Sequence, residues 1–285
     1  MCRWIAYSGA PLSVGRILFE PKHSLIHQSL ESFEGVEPTN GDGFGLGWYT
    51  PVSDEPGRYR SISPAWNDQN LFDLASHIES SIVFAHIRAT TGTPVQHTNC
   101  HPFHHGRWLF MHNGSVAMES GLRRELMLRV APELFDSILG STDSELFFYV
   151  AMTEGLEQDP IAALARAAGL VESLAEGRGI ECPVQGTFAV TDGETTWVVR
   201  YSTTHQSRSL YYSEDIATLR AMYPDTHLAA PVPDDARFIA SEPFTTTLPG
   251  AWIKVPESTA IIVRAGQPVE RLAFVPVPAD APQPA

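Results

Sequence analysis

Cys2 directly follows the initiator methionine. Removing Met1, which is usual before a small residue, leaves one residue carrying both a thiol and a free α-amine. The thiolate is the nucleophilic form, and a base must make it. An α-amine with an ordinary pKa of about 7.7–8.0 is partly unprotonated near neutrality, so it can take the thiol proton directly or through one water. On position alone, Cys2 reads equally as an ordinary residue at the start of a strand.

Three further segments carry groups that such a nucleophile needs. Ala85-His86-Ile87-Arg88-Ala89-Thr90-Thr91-Gly92 places Arg88 just past an apolar run. A guanidinium there can grip a carboxylate through two parallel hydrogen bonds, or form a surface ion pair of little worth. Trp108-Leu109-Phe110-Met111-His112-Asn113-Gly114 ends on Asn-Gly, which reads as a turn or as a pair of donors. In the second reading the Asn113 amide and the Gly114 N–H meet a tetrahedral oxyanion. Thr142-Asp143-Ser144-Glu145 has the pattern of a helix capping box, and Asp143 either helps that cap or holds a substrate ammonium. His97, His101, His104, His105 and His112 crowd one stretch, but their spacing fits no HExxH-type pattern and Pro102 interrupts them, so no metal site is read.

The elements that must position these residues change character along the chain. Strands are expected at Cys2–Tyr7, Phe44–Tyr49, Ser81–Arg88 and Trp108–His112. Leu122, Leu126, Val130, Leu134 and Ile138 recur at helical spacing, with a break expected at Pro132. Helices follow at Glu145–Gly155 and along Ile161–Ala175. Strands return at Thr187–Val190, Thr196–Tyr201, Leu210–Ser213, Phe238–Ala240, Trp252–Val255 and Ala260–Val263. Strands, then helices, then strands predict stacked sheets covered by helices, an α+β arrangement, rather than a doubly wound parallel sheet. Ser53–Gly57 and Pro231–Asp235 read as surface loops. One domain is expected over residues 1–275, with a flexible Pro/Ala-rich tail over 276–285.

Composition narrows the partners. The 285 residues are 43% hydrophobic, enough for a large core, and 33 acidic side chains against 19 basic ones give a net charge of −14. That balance argues against nucleic acid and against an anionic membrane surface. There is no membrane-length apolar run and no signal-peptide pattern. The three cysteines, Cys2, Cys100 and Cys182, fit no disulfide framework. Together these features predict a cytoplasmic protein in a reducing compartment.

In combination and in order, Met-Cys, Ala-His-x-Arg-x-x-Thr, the His-Pro segment, His-Asn-Gly and Thr-Asp-x-Glu resemble the class II glutamine amidotransferases of the N-terminal-nucleophile hydrolase superfamily. The resemblance runs essentially the whole length of the chain. It implies a four-layer αββα sandwich of two mainly antiparallel sheets. It also implies Cys2 as nucleophile with its own amine as base, Asn113 and Gly114 as the oxyanion hole, Arg88 on the substrate α-carboxylate and Asp143 on its α-ammonium. Thr91 would lie near the bound carboxylate, and His101 and His112 would shape the pocket without transferring protons. No metal or organic cofactor is implied.

Asn40-Gly41-Asp42-Gly43-Phe44-Gly45-Leu46-Gly47-Trp48-Tyr49, Pro64-Ala65-Trp66-Asn67-Asp68 and Asn99-Cys100-His101-Pro102-Phe103 resemble the stand-alone branch of that family. That branch includes a γ-glutamyl hydrolase of ergothioneine biosynthesis and an amidotransferase subunit of a glutathione-degrading complex. The implied reaction is cleavage of a γ-glutamyl amide, in glutamine or in a γ-glutamyl peptide or conjugate, through a Cys2 thioester. Any ammonia acceptor would sit on a separate chain. The competing reading is a non-catalytic γ-glutamyl-binding or regulatory subunit, for which Cys2 has no purpose.

Overall fold

The computed structural model describes residues 2–21, 23–31, 39–90, 92–218, 232–244 and 250–279. Two antiparallel sheets lie face to face. The first has seven strands in the order β11-β9-β10-β1-β4-β2-β3, and the second has six in the order β13-β12-β8-β7-β6-β5. In the first sheet these are β1 (Arg3–Ser13), β2 (Phe44–Thr50), β3 (Ser53–Ser61), β4 (Glu79–Ile87), β9 (Tyr211–Ser213), β10 (Arg237–Ala240) and β11 (Trp252–Lys254). The second contains β5 (Phe103–His105), β6 (Trp108–Val116), β7 (Val184–Thr191), β8 (Thr195–Ser202), β12 (Thr259–Arg264) and β13 (Glu270–Ala273).

Strand alternation divides the core into layers. On β1, Trp4 and Ala6 join the apolar layer between the sheets, with Phe84, Leu109, Met111 and Val198. Ile5 and Tyr7 point the other way, onto the helices α1 (Val14–Leu18), α2 (Leu25–Leu30) and α3 (Gln69–His77). The outer face of the second sheet packs through Phe110, Phe188 and Val199 on α4 (Leu122–Met127), α6 (Asp143–Thr153) and α7 (Pro160–Ala175). The result is the expected αββα sandwich.

Two side-chain hydrogen bonds set one sheet against the other near the start of the chain. The Trp4 indole N–H donates to Thr187 Oγ1 at 3.0 Å, and His86 Nε2 lies 3.2 Å from the His112 carbonyl. The first joins β1 to β7 and the second joins β4 to β6.

Three local expectations need correction. Ser53–Gly57 is not a loop but the start of β3, pairing Thr50 with Ser53 and Trp48 with Gly57. Pro56 is tolerated because β3 is an edge strand, where a missing N–H costs no ladder bond. The Asn113-Gly114 pair is not a turn: β6 continues through it, with Asn113 opposite Thr187 and Gly114 opposite Gly186. The capping box is half formed. Thr142 Oγ1 accepts from the Glu145 N–H at 3.1 Å, but the Glu145 carboxylate turns to the N–H groups of Leu139 and Gly140.

The break expected at Pro132 is present. α4 ends at Met127, and the short α5 (Pro132–Phe135) begins at the proline itself. Proline there removes an N–H that a helix start leaves unpaired anyway. At the other end of the chain, the Val277 N–H donates to the Ala165 carbonyl at 3.0 Å and the Ala279 N–H to Ser173 Oγ at 3.3 Å. The start of the Pro/Ala-rich segment therefore lies strapped along α7. Gly169 makes this approach possible, because a Cβ there would collide with the Val277 carbonyl.

Candidate active site

Cys2 immediately precedes β1, and Arg88 immediately follows β4. The two strands are antiparallel neighbours with Arg3 opposite Ile87, so residue 2 necessarily lies beside residues 88 and 89. The Ala89 N–H points at Cys2 Sγ from 3.4 Å, and the thiol reaches the Ala89 carbonyl at 3.5 Å. The cysteine is partly exposed. Burial of the sulfur pushes its pKa up, the Ala89 N–H and the Arg88 guanidinium pull it down, and the Asp143 carboxylate pushes it up again, with a net rise. A thiol raised in this way needs a proton acceptor close by. The same electrostatics place Arg88 and Asp143 within reach of the sulfur's charge.

Arg88 is 3% exposed, and its guanidinium is braced on one side. Nη2 donates to Thr93 Oγ1 at 2.7 Å, Thr90 Oγ1 at 3.0 Å and the Pro94 carbonyl at 3.2 Å. Nη1 makes a longer bond, 3.4 Å, to the Asp42 carbonyl. The Asp42 carboxylate in turn accepts from the Thr90 N–H at 2.8 Å. No carboxylate pairs with Arg88 among the described residues, so the positive charge is held in place without a counter-ion there. Thr91 lies outside the described residues.

Asp143 is the first residue of α6, where a carboxylate suits the helix dipole. One of its oxygens accepts from the Val116 N–H at 2.7 Å and the other from the Ser144 N–H at 2.8 Å. Ser144 Oγ also lies 3.2 Å from the second oxygen, so the oxygen that faces Val116 keeps a lone pair for an incoming cation. Val116 ends the strand that carries Asn113 and Gly114. The Asn113 carboxamide makes no hydrogen bond with any described residue although Asn113 is only 4% exposed, so its N–H groups are available as fixed donors. Gly114 has φ +153°, and a Cβ there would run into the Gln185 carbonyl, so no other residue fits.

His112 is 1% exposed and has protein partners at both ring nitrogens. Nδ1 lies 2.9 Å from Ser144 Oγ, Nε2 lies 3.3 Å from the Gln185 carbonyl, and the ring stacks on Phe188 with centroids 4.6 Å apart. Burial lowers its pKa despite Asp143 nearby. A neutral ring facing a carbonyl through Nε2 must carry its proton there, which leaves Nδ1 as an acceptor beside the Ser144 hydroxyl, which also lies 3.2 Å from an Asp143 oxygen. His101 stacks on His86 at 4.1 Å, and burial drives both far down, His86 to about 3. His86 and His101 are neutral spacers near the β4–β6 contact, whereas the His112 ring packs outward against α6. Among the described residues no three of His, Cys, Asp and Glu converge as a metal site would require.

Sequence reading missed two groups that hold the site. Arg3, buried beside Cys2, donates through Nη1 to the Cys2 carbonyl at 2.9 Å and through Nε to the buried Glu242 carboxylate at 3.1 Å. Glu242 also lies 2.5 Å from His23 Nε2. Nothing near residue 242 in the sequence announces this. Asn99 is the second group. Its Nδ2 donates to the Pro94 carbonyl at 2.9 Å, and its Oδ1 accepts from the Ser141 N–H at 2.8 Å. It thereby joins the loop that braces Arg88 to the turn that precedes Asp143.

A profile of the family described as glutamine amidotransferases class-II matches residues 22–283. The chain belongs to the class-II glutamine amidotransferases. This amidotransferase is 35% identical over 295 residues to the probable glutamine amidotransferase DUG3 of Saccharomyces cerevisiae, an alignment spanning 93% of this chain and 82% of the yeast protein. Over 121 residues it is 36% identical to the gamma-glutamyl-hercynylcysteine sulfoxide hydrolase of Mycolicibacterium smegmatis, covering 41% of this chain and 52% of that one.

Among solved structures, a glutamine aminotransferase class-II domain protein from Silicibacter pomeroyi superposes with a TM-score of 0.72 at 30% identity, over 97% of this chain and 100% of that chain. The glutamine phosphoribosylpyrophosphate amidotransferase of Bacillus subtilis shares the fold, with a TM-score of 0.62 at 15% identity. The amidotransferase is thus an enzyme of γ-glutamyl amide cleavage with an N-terminal-nucleophile hydrolase fold. Arg88, Asn113, Gly114 and Asp143 fall inside the matched span, and Cys2 precedes it.

Proposed function

We propose that the mature enzyme begins at Cys2 and hydrolyses the side-chain amide of a γ-glutamyl substrate through a Cys2 thioester. The observation that carries this reading is the seat of the Cys2 sulfur against Ala89, next to the unpaired Arg88 charge and within the field of Asp143. Arg88 binds the substrate α-carboxylate and Asp143 its α-ammonium. An ionic clamp of this kind reads the glutamyl half and places its γ-carbonyl at the sulfur, and such positioning lowers the barrier by several kcal/mol.

The Cys2 α-amine takes the thiol proton, and the thiolate adds to the γ-carbonyl. The Asn113 amide and the Gly114 N–H stabilise the oxyanion, each such donor being worth roughly 10²–10³-fold. The C–N bond breaks as the Cys2 ammonium protonates the leaving nitrogen, and a water activated by the freed amine then hydrolyses the thioester to glutamate. His112 acts through Ser144, which contacts both His112 and Asp143, and takes no part in proton transfer.

The leaving group is ammonia or an amine, released to solvent or to an acceptor on a separate chain. An amine-release screen tests the reading, with glutamine, glutathione and γ-glutamyl conjugates of other thiol amino acids as substrates. Release of glutamate from at least one of them by the wild-type chain, and none by Cys2→Ala, is expected. Equal release by Cys2→Ala contradicts the proposal.

A further inference from the structure

At the open edge of the sandwich, β3 and β5 face each other across a cavity of about 190 Å³. At about 30 Å³ per water, it has room for roughly six waters. Arg58 and Arg60 line one side, His104 and His105 the other, and Glu145 and Tyr149 of α6 close it.

The two arginines share a face of β3 because they are two residues apart. Their cross-strand partners on β2 are both glycines, Gly47 opposite Arg58 and Gly45 opposite Arg60. A Cβ at Gly45 would collide with the His101 carbonyl and stand 3.1 Å from Arg60 Cγ, so the glycine lets the His101 loop and that arginine close on β2 together.

Among the described residues, no carboxylate lies within 4 Å of Arg58 or Arg60, and neither side chain makes a hydrogen bond. Some half-buried arginines elsewhere differ: Arg166, Arg178 and Arg200 reach Glu154, Glu125 and Glu257 at 3.7, 2.7 and 3.5 Å. The one carboxylate lining the cavity, Glu145, is turned onto the N–H groups of Leu139 and Gly140, and burial raises its pKa against the pull of those hydrogen bonds and of the Arg60 charge. Burial and the neighbouring Arg60 charge pull Arg58 down to about 10, so it still carries its charge at neutral pH. Two adjacent half-buried cations with no carboxylate in direct contact are costly in a folded chain. Their charge also stands out in a protein with a net charge of −14.

We infer that this cavity is a binding site for a small oxyanion group, a phosphate or a carboxylate, held between the Arg58 and Arg60 guanidinium groups. The planar forks match such oxygens in pairs. His104 is neutral beside them, held down to about 4 by burial and by the two arginines, and supplies one more ring N–H. The site is separate from the Cys2 centre but shares α6 with it: Asp143 starts that helix, and Glu145 and Tyr149 follow about half a turn and a little under two turns on.

Equilibrium dialysis of the full-length protein against inorganic phosphate and, separately, against succinate tests the inference. Saturable binding of at least one of them is expected at one per chain, weakened at least tenfold in the Arg58→Gln/Arg60→Gln double variant. Which anion binds identifies the source of the oxyanion. In the wild-type protein, the His104 ring titration followed by NMR should move to higher pH when the bound anion is added, and this readout does not depend on the variant folding. Failure of both anions to saturate the wild-type protein at millimolar concentration overturns the site. So does undiminished binding by a folded double variant.

Discussion

The Asp143 carboxylate accepts the Val116 N–H at 2.7 Å and so ties the first turn of α6 to the end of β6. The strand presents Asn113 and Gly114, and the helix presents Asp143. One hydrogen bond therefore sets the distance between the proposed oxyanion donors and the proposed ammonium site. Both Asp143 oxygens receive a backbone N–H, so an asparagine at that position would have to aim its NH₂ at one of those donors. Asp143→Asn is expected to raise KM for a γ-glutamyl substrate by more than about tenfold and to lower Tm by a few degrees. Steady-state kinetics and a thermal melt check this, and an unchanged KM would remove Asp143 from substrate binding.

Arg88 has its Nη2 side braced by Thr90, Thr93 and Pro94. A lysine carries the charge but cannot hold that loop and a carboxylate together. Arg88→Lys is expected to raise KM by roughly 10–100-fold with a smaller effect on kcat, because the paired hydrogen bonds of the fork are lost. Kinetics with glutamine or the best substrate of the screen decides. Wild-type kinetics in the variant would mean that Arg88 serves only its own loop.

The Asn113 carboxamide makes no hydrogen bond with any described residue, so removing it orphans none of them. Asn113→Ala should lower kcat by about 10²–10³-fold with little change in KM or in Tm, as expected for a donor used only when the oxyanion forms. A loss confined to KM would instead make Asn113 a ground-state contact.

The buried histidines make stability depend on pH. His86 sits at about 3 in the folded chain against an ordinary value of 6.5, and His101 and His104 are lowered too. The folded state therefore binds fewer protons than the unfolded chain between these values. Its stability is full above about pH 6.5 and falls as the pH drops towards 3. Tm should decline steadily below pH 6.5. His101→Phe, which keeps a ring against His86 and Phe103, should give a shallower decline. A Tm that stays level down to roughly pH 4 would contradict this account.

The parts of the fold legible in the sequence are those with long periodic patterns. β1, β4, β7 and β8 and the helices α6 and α7 lie where apolar alternation or spacing places them, and Thr142 caps α6 as its pattern indicates. Local signals misled at the edges. Ser53–Gly57 looks like a loop because its residues are polar or turn-forming and include Pro56, which are also the marks of an edge strand. Asn-Gly signals a turn in isolation, yet Asn113-Gly114 stays extended because β7 brings a second glycine, Gly186, opposite it. The short helices α1, α2 and α3 carry too few turns to show a period.

For the site, Cys2, Arg88, Asn113, Gly114 and Asp143 could be named because each stands in a short recognisable string. Arg3 with Glu242 and Asn99 with Ser141 could not, because each depends on a contact between distant parts of the chain. Arg58 and Arg60 look like ordinary surface charges until the glycines opposite them are seen.

The central claim is that a cysteine at the mature N-terminus forms a thioester with a glutamyl group. Rapid acid quenching of the enzyme during turnover, followed by peptide mapping by mass spectrometry, tests it most directly. The expected result is an N-terminal peptide that begins at Cys2, lacks Met1 and carries the mass of one glutamyl group, which disappears after hydroxylamine treatment. An active enzyme whose N-terminal peptide retains Met1, or whose glutamyl adduct maps to another residue, would contradict it.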